Sequence, residues 1–355
     1  MTRILTTITL CLLILVACNS GIDNESGGSY IRQQVDTVGF AQYSWQIDSV
    51  MSRLDRRGWE RDEGDSWKIA ICPHDDYTYV GKLYPEVLHN IKADNIIMLG
   101  VAHKAAQLGL EGYLIFDSFS QWYGPYGDIH VSPARDEIIK TLGDEYVVVS
   151  DTMHSVEHSL ESMIPFMQYF NRSISIIPIL VPAMSPARMD ECGKALADAV
   201  NTVAESYGWE WGKDFAIVVT TDAVHYGNED WGGKDYAMYG CDDKGNEQAR
   251  AYELEIIENC LAGEVGPENI RLFNEYTLDS TDYHNYRWTW CGRYCVPVAL
   301  YAAYYLNNSS DISGEFIAYS TSITSDHLLV KDIGMGTTAI ATDCHWVGYA
   351  ALGYR

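Results

Sequence analysis

The chain has 355 residues, enough for one large α/β domain or two smaller ones. Its hydrophobic share of 47% and charged share of 21% are those of an ordinary globular protein. The net charge of −25 would repel a nucleic-acid backbone along most approaches, so no nucleic-acid partner is expected. A solvated acidic surface explains this charge without any ligand, although the same surface would suit cations.

The N-terminus has the pattern of an export signal. Arg3 precedes an apolar run at residues 4–16, which has the length of a signal peptide and is too short to span a membrane as a mature helix. The run ends in Leu-Val-Ala-Cys, which resembles the lipobox of bacterial lipoproteins, whose cysteine is lipidated and becomes the first mature residue. We therefore expect residues 1–17 to be a lipoprotein signal peptide, Cys18 to carry the lipid, and residues 18–35 to be a flexible tether.

This pattern also predicts a location. The protein would be attached to the bacterial cell envelope through its N-terminal lipid only, on the periplasmic or surface side. The alternative is plain secretion, in which Cys18 is incidental.

Three apolar runs each lead into a histidine. The first run stops at Pro73, which cannot donate to a central ladder and so marks the end of a buried strand. Open α/β sheets place their ligand sites at the carboxyl ends of such strands. The runs are residues 69–72, 96–100 and 215–221, and the histidines that follow them are His74, His103 and His225. Three strands that deliver a histidine at the same edge predict one shared site.

The rest of the chain alternates between helical and strand patterns. The clearest amphipathic helix spans residues 186–207, with Leu196 and Val200 on its apolar side. Residues 133–142 are another predicted helix, with Ser132 as its N-terminal cap. Further helices are predicted at 81–91, 247–262, 268–274 and 296–306, strands at 146–149, 174–181, 316–322 and 346–354, mixed strand and loop at 108–131, and a loop at 228–245. This alternation predicts a single-domain α/β sandwich with a mixed or mostly parallel central sheet over residues 36–355.

Two of the histidines and a distant cysteine form a candidate metal site. His74, His103 and Cys291 supply two imidazoles and one thiolate, which suits a divalent transition metal with coordination positions left open. Each residue also has a simpler explanation, because a histidine at a strand end can be an ordinary hydrogen-bonded residue and a buried cysteine can act as a small hydrophobe. Asp222 lies three residues before His225 and would either orient that ring or cap the helix that follows.

The cysteines leave the disulfide question open. Nine are present, of which Cys11 and Cys18 belong to the predicted signal. The remaining seven are an odd number, so at least one thiol is free or used otherwise. Export would permit disulfides, but no CxxC pair occurs and the spacings select no partner for any cysteine.

Five short motifs resemble, in order, those of the Memo family, whose bacterial members are called AmmeMemoRadiSam system protein B. They are Pro73-His74 with Tyr77 and Tyr79, Leu99-Gly100 with His103, the run from Glu157 to Glu161, Asp222 with His225-Tyr226-Gly227, and Cys291-Gly292-Arg293. The resemblance extends from residue 36 to the C-terminus. It implies a fold like that of the class III extradiol dioxygenases, which use non-haem iron.

The resemblance also implies site residues. His74, His103 and Cys291 would be the metal ligands, with Asp222 and His225 beside the metal, where we expect His225 to act as acid or base. The residues expected to line the cleft are Glu157, His158, Tyr77 and Arg293. The thiolate replaces a glutamate of the dioxygenases and is softer, which favours non-haem iron or copper over zinc.

The chain departs from the family pattern around this site. Asp75-Asp76 replaces Ala-Gly, Lys104, Met163 and Tyr294 replace histidines, and the segment 326–345 looks longer than usual. The ligands are retained while their surroundings change, so the substrate or redox potential would differ from that of relatives.

Three functions compete. The first is a metal-dependent, dioxygenase-like redox enzyme for a small molecule or peptide, in a pocket shaped by Trp122, Tyr123, Tyr126 and Trp231. The second is a non-catalytic lipoprotein that binds a peptide or a metal, because human relatives in the family are discussed as phosphopeptide-binding or signalling proteins. The third and weaker one is zinc-assisted hydrolysis at the same ligands.

Overall fold

The computed structural model describes residues 30–61 and 64–355. The predicted signal peptide, the predicted lipid-bearing Cys18 and most of the predicted tether therefore lie outside the described residues. Among the helices that are described, none is long and apolar enough to cross a membrane.

The first described residues already belong to the fold. Ile31–Arg32 forms a short strand beside Gln121–Trp122, and the buried Arg32 guanidinium pairs with Glu161 and lies over the Trp122 ring. The folded domain thus begins ahead of the predicted boundary at residue 36, and the predicted tether at 18–35 overlaps it. The physical reason is the ion pair, since a buried arginine must keep its carboxylate partner.

Helices and strands alternate as the sequence predicts. The helices are α1 (Ser44–Asp55), α2 (Tyr77–Val80), α3 (Leu83–Leu88), α4 (Ala134–Leu142), α5 (Asp151–Val156), α6 (Ile164–Phe170), α7 (Pro186–Tyr207), α8 (Asp243–Cys260), α9 (Pro267–Thr277) and α10 (Cys295–Leu306). The strands are β1 (Ile31–Arg32), β2 (Ile69–Cys72), β3 (Asn95–Val101), β4 (Leu114–Phe116), β5 (Gln121–Trp122), β6 (Ile129–Val131), β7 (Val147–Val149), β8 (Ser175–Val181), β9 (Phe215–Thr220), β10 (His225–Gly227), β11 (Gly263–Val265), β12 (Ile312–Thr321) and β13 (His345–Tyr354).

One mixed sheet runs through the molecule in the order β1-β5-β6-β8-β3-β9-β2-β13-β12-β11. Its centre, β8-β3-β9-β2, is parallel, whereas β13, β12 and β11 are antiparallel to their neighbours. The predicted α/β sandwich with a mixed sheet is confirmed. The carboxyl ends of β2, β3 and β9 meet at one edge, and the N-terminal end of β13 lies there too because that strand runs the opposite way.

Helices cover both faces of the sheet, and successive strand residues face opposite cores. Ile69 and Ile71 pack in the core that contains α7 and α10, whereas Ala70 and Cys72 pack in the core that contains α1, α3 and α6. Burial on both faces explains why the central strands are continuous apolar runs.

The helix ends confirm one prediction and correct another. Helix α7 has the predicted bounds, and the Ser185 side chain accepts the Arg188 N–H at its start. The predicted cap of α4 is wrong, because that helix begins after Pro133 and the Ser132 hydroxyl instead donates to Asn95 Oδ1 at 3.3 Å.

Candidate metal centre

The carboxyl edge of the central strands carries a cluster of side chains able to hold a metal. His74 follows β2, His103 follows β3, and Cys291 comes from the loop before α10. One ligand atom of each lies within 4.8 Å of the other two. The His74 and His103 rings are nearly perpendicular, with centroids 5.3 Å apart, and His74 Nε2 lies 3.5 Å from Cys291 Sγ. The structure thus brings together the three residues that the sequence singled out.

His74 is held so that one ring nitrogen faces the cluster. Its Nδ1 lies 3.0 Å from Thr220 Oγ1, and its backbone N–H donates to the Asp222 carboxylate at 3.0 Å. This leaves Nε2 facing Cys291. Burial, reinforced by the neighbouring histidines, holds the pKa of His74 well below its usual range. The ring is therefore neutral, which is the form that binds a metal.

His103 is oriented by a buried carboxylate. Glu157 accepts from His103 Nδ1 at 2.9 Å and from the His103 backbone N–H at 2.7 Å, so Nε2 is the nitrogen left for a metal. Burial opposes ionisation of Glu157, but the charges and hydrogen bonds of His103 and His158 outweigh it and lower its pKa to about 2. Glu157 was expected to line the cleft, and the structure shows it supporting a histidine instead.

The Cys291 sulfur accepts a backbone hydrogen bond beside the cluster. The Asp222 backbone N–H donates to Sγ at 3.1 Å, and Thr221 Oγ1 lies 3.7 Å away. Burial, followed by the charge of Asp222, raises the pKa of the Cys291 thiol well above its ordinary value. Coordination reverses this preference, because a divalent metal stabilises the thiolate.

His225 extends the cluster on one side. One ligand atom of each of Asp222, His225 and Cys291 also lies within 4.8 Å of the other two. In the described chain His225 Nε2 is buried without a hydrogen-bond partner, and burial, aided by His103 and His345, lowers its pKa to about 3.

The predicted role of Asp222 in orienting His225 has no contact to support it among the residues described. The Asp222 carboxylate accepts from His74, whereas the His225 backbone exchanges two hydrogen bonds with Thr289 Oγ1, at 3.0 and 2.6 Å. Asp222 thus positions His74, and the backbone places His225.

An open cleft of about 280 Å³ leads to the cluster. His158 lies at its rim, with its ring stacked on that of His103 at 5.0 Å. The other lining residues include Asp75, Asp76, Tyr79, Trp231, Ile340, His345 and Val347. The volume is at the low end for ligand sites, which suits a small molecule or one side chain of a peptide.

One wall of the cleft comes from the segment that looked longer than the family pattern. Asp76 Oδ2 accepts from the Thr338 N–H at 2.6 Å and from its hydroxyl at 3.1 Å, and the Tyr79 hydroxyl donates to the Ala339 carbonyl at 2.8 Å. Asp75 accepts from the Tyr349 hydroxyl. Asp76 therefore anchors this wall, whereas Asp75 is bonded to β13.

A second groove of about 260 Å³ reaches His103 and Cys291 from another direction. Arg293 lies in it, with its guanidinium 3.5 Å from the Tyr286 ring centre and a hydrogen bond to the His284 carbonyl at 3.1 Å. Arg293 thus lies beside the cluster, but it lines this second groove and not the cleft that His74 lines.

Several aromatic residues expected in the cleft lie elsewhere. Tyr77 is fully buried, and its hydroxyl donates to the Ser162 carbonyl at 2.6 Å. Trp122, Tyr123 and Tyr126 contact residues 32–48, because β5 lies beside β1 at the N-terminal end of the sheet. Trp231 does line the cleft, as expected.

Sequence reasoning missed His345. It lines the cleft, and its ring centre lies 4.2 Å from that of Trp231. The three predicted histidines follow strands, whereas His345 begins one. Its strand, β13, is antiparallel to β2 and therefore starts at the edge where β2 ends. A histidine directly before an apolar strand was the signal available.

The cluster fits a transition metal on its own chemistry. It combines two imidazole nitrogens, a sulfur that receives a backbone N–H, and the unpaired buried Nε2 of His225. Iron, copper and zinc all accept such ligands, so the site is compatible with metal binding without identifying the ion.

Comparison with known proteins agrees with this geometry. Residues 41–337 match the family model described as Memo-like protein. A MEMO1 family protein of Methanothermobacter thermautotrophicus is 27% identical over 164 residues, covering 46% of this chain and 56% of the relative. One from Saccharolobus solfataricus is 28% identical, with 57% and 66% covered, and one from Thermococcus kodakarensis is 24% identical over 313 residues, with 83% and 89% covered. The match spans less than two thirds of the first two relatives. Because the family model covers most of the chain, this protein belongs to the Memo family.

Proposed function

We propose that this Memo protein binds iron or copper at His74, His103 and Cys291 and carries out a redox, dioxygenase-like reaction on a small molecule or peptide. The convergence of two imidazole nitrogens and one sulfur within 4.8 Å, with both histidines lining an open cleft, carries the proposal. When bound, such an ion supplies redox chemistry and open coordination positions, whereas zinc supplies no redox step.

The chain's own residues prepare the ligands and the substrate position. Thr220 and Glu157 each occupy the Nδ1 side of a histidine, which fixes the ring and reserves Nε2 for the ion. The unpaired His225 Nε2 is the polar group positioned to exchange a hydrogen bond with a bound substrate. Trp231 and His345 form an aromatic wall that would contact an apolar part of that substrate.

Metal analysis with a matched pair of variants tests the proposal. The protein is purified anaerobically and its iron and copper contents are measured; uptake of copper(II) is followed by electron paramagnetic resonance, and uptake of iron(II) by competition with a coloured chelator. We expect Cys291→Ser to weaken uptake at least tenfold, and Cys192→Ser, which changes another buried cysteine in α7 outside the cluster, to leave it unchanged. A protein that takes up neither ion, or equal uptake by the two variants, would refute the proposal.

A second candidate is a metal- or peptide-binding protein without turnover. It is favoured by the missing contact between Asp222 and His225, because the expected acid–base residue then has no carboxylate partner among the residues described. Measurements of oxygen consumption and metal content distinguish the two functions. Loss of oxygen consumption together with metal in Cys291→Ser supports the enzyme, whereas metal binding with no oxygen uptake on any catechol, thiol or peptide supports the binding protein.

We also propose that the mature chain is anchored to the cell envelope by a lipid on Cys18. The support is the apolar run at 4–16 followed by Leu-Val-Ala-Cys. Cell fractionation tests it, since Cys18→Ser should move the protein out of the membrane fraction. An unchanged distribution would refute the anchor.

A further inference from the structure

Two cysteines differ from the others in position and exposure. Cys241 and Cys344 are partly exposed and lie in two loops beside the cleft. Cys241 lies just before α8, in the loop of residues 228–242 that carries Trp231, and Cys344 lies just before β13, next to His345. The remaining cysteines of the described chain are buried, namely Cys72, Cys192, Cys260, Cys291 and Cys295.

The two cysteines are neighbours, since each contacts Asn228, and the thiols interact electrostatically. Independent contacts hold them in this position. The Cys344 carbonyl accepts from the backbone N–H groups of Asn228 and Glu229, at 3.0 and 3.2 Å, and Asn228 Oδ1 lies 3.7 Å from Cys241 Sγ. Asn246 Nδ2 donates to the carbonyl of Asp343 at 3.1 Å, which ties the start of α8 to the same segment. The Cys241 thiol and the Cys344 backbone are therefore both held at Asn228 by contacts that do not involve sulfur–sulfur bonding.

We propose that Cys241 and Cys344 form a disulfide that joins the two loops beside the cleft. This goes beyond the proposed metal chemistry, since neither residue belongs to the cluster. The oxidant is a small-molecule or protein disulfide, for which oxidised glutathione serves as the probe. One protein thiolate attacks a glutathione sulfur and releases one glutathione. The second protein thiolate then attacks the mixed disulfide and releases the other, so two protein thiols and one glutathione disulfide give one protein disulfide and two reduced glutathiones.

The surroundings fit a stable bridge better than a metal site or a catalytic thiol. No group of metal-ligating side chains within the described ranges includes either residue. The interaction with the Cys241 thiol, followed by burial and the nearby carboxylates of Glu229 and Asp343, raises the pKa of Cys344 to about 11. A thiol with so little thiolate at neutral pH is unlike the activated cysteines of redox enzymes, whose pKa values are lowered.

The bridge would act on the wall of the cleft. Trp231 belongs to one of the joined loops, and His345 follows the cysteine of the other, with their ring centres 4.2 Å apart. Linking Cys241 to Cys344 therefore fixes the two sides of this aromatic contact relative to each other. It also closes a loop of about 100 residues, which restricts the unfolded chain strongly.

Peptide mapping tests the proposal on the full protein. Reduced protein is incubated with oxidised glutathione, free thiols are alkylated, and a digest without reductant is analysed by mass spectrometry. We expect one linked peptide pair joining Cys241 to Cys344, and a melting temperature roughly 5 °C higher than that of the reduced protein. Cys241→Ser and Cys344→Ser should each abolish the linked pair and melt at the same temperature with and without oxidant.

Two outcomes would overturn the proposal. Cys241 and Cys344 could both be recovered fully alkylated, or each could be recovered as a glutathione adduct with no link between them. The result is separable from the proposed metal function, because reduced Cys241→Ser is expected to bind metal as the unmodified protein does. A disulfide that forms in a protein without metal affinity would support the bridge and refute the metal site. Metal binding by a protein that forms no disulfide would do the opposite.

Discussion

Replacing Glu157 by glutamine tests whether the His103 ring is held ready for a metal. The Glu157 side chain is almost completely buried. One of its oxygens accepts from the His103 ring at 2.9 Å and from the backbone N–H groups of His158 and Ser159 at 2.9 and 3.0 Å. The other accepts from the backbone N–H of His103 at 2.7 Å. Glutamine keeps the shape but presents an NH₂ group to one of these donors.

The expected loss follows from this geometry. In the best orientation of the amide, the three bonds to one oxygen survive and the His103 backbone N–H faces another donor, so one buried hydrogen bond is lost at about 1–3 kcal/mol. The substitution also removes the negative charge of the carboxylate, which makes the His103 ring a better metal ligand. Removal of such a carboxylate weakens metal binding roughly 10–100-fold, or about 1.4–2.7 kcal/mol.

The assay is an anaerobic titration with iron(II) in competition with a coloured chelator. Asp117→Asn is the matched control, because Asp117 is also a buried carboxylate, paired with Arg135 and Trp122 outside the cluster. We expect the control to lower the melting temperature while retaining metal affinity. Unchanged affinity in Glu157→Gln, or an equal loss in Asp117→Asn, would refute the reasoning.

Three further predictions concern other parts of the structure. Burial raises the pKa of Glu253 to about 7, so its contribution to stability is present in full below its ordinary pKa of about 4.5 and is lost as pH rises through 7. The free energy of unfolding in urea should therefore fall between pH 5 and 8, with Glu253 accounting for up to ~3 kcal/mol of the fall. Burial also raises the pKa of Asp76 to about 7, so Glu253→Gln should reduce this pH dependence without abolishing it, and an unchanged dependence would contradict the assignment. Asp76→Ala should speed hydrogen exchange of the Thr338 amide at least tenfold, because that N–H loses its acceptor, and unchanged exchange would contradict the anchoring role. Gly227 has φ +124°, and a Cβ there would lie 1.8 Å from the Cys344 carbonyl oxygen, so Gly227→Ala should lower stability by ~3 kcal/mol or more in thermal melts, against ~1 kcal/mol for Gly232→Ala, where φ is +63° and the space is open.

The sequence predicts the sheet and the ligands because both depend on local patterns. A strand buried on both faces is a continuous apolar run, and the residue after Pro73 must lie at the end of such a run. His74 and His103 thus reach the same edge for the same reason, and helix α7 could be bounded from its periodicity and its Ser185-Pro186 start.

The cleft walls were not predictable in this way, because loops from distant parts of the chain build them. The position of Trp122 depends on β1, whose two residues carry no strand signal of their own. The direction of Tyr77 depends on a short helix that turns its ring into the core. His345 required knowledge that β13 runs against β2. Each of these errors concerns a contact between segments far apart in sequence.

Two of the features in which this chain departs from the Memo pattern, Asp76 and the segment 326–345, belong to one structural unit. Asp76 binds Thr338, the segment that follows reaches Cys344, and His345 then contacts Trp231 across the cleft. The candidate metal ligands His74 and His103 are oriented by Thr220 and Glu157, which lie outside this segment. A change in the segment can therefore alter which molecule enters the cleft while the ligand cluster stays in place. We therefore expect substitutions in this segment to change which molecule binds in the cleft, while metal uptake by the candidate ligands stays the same.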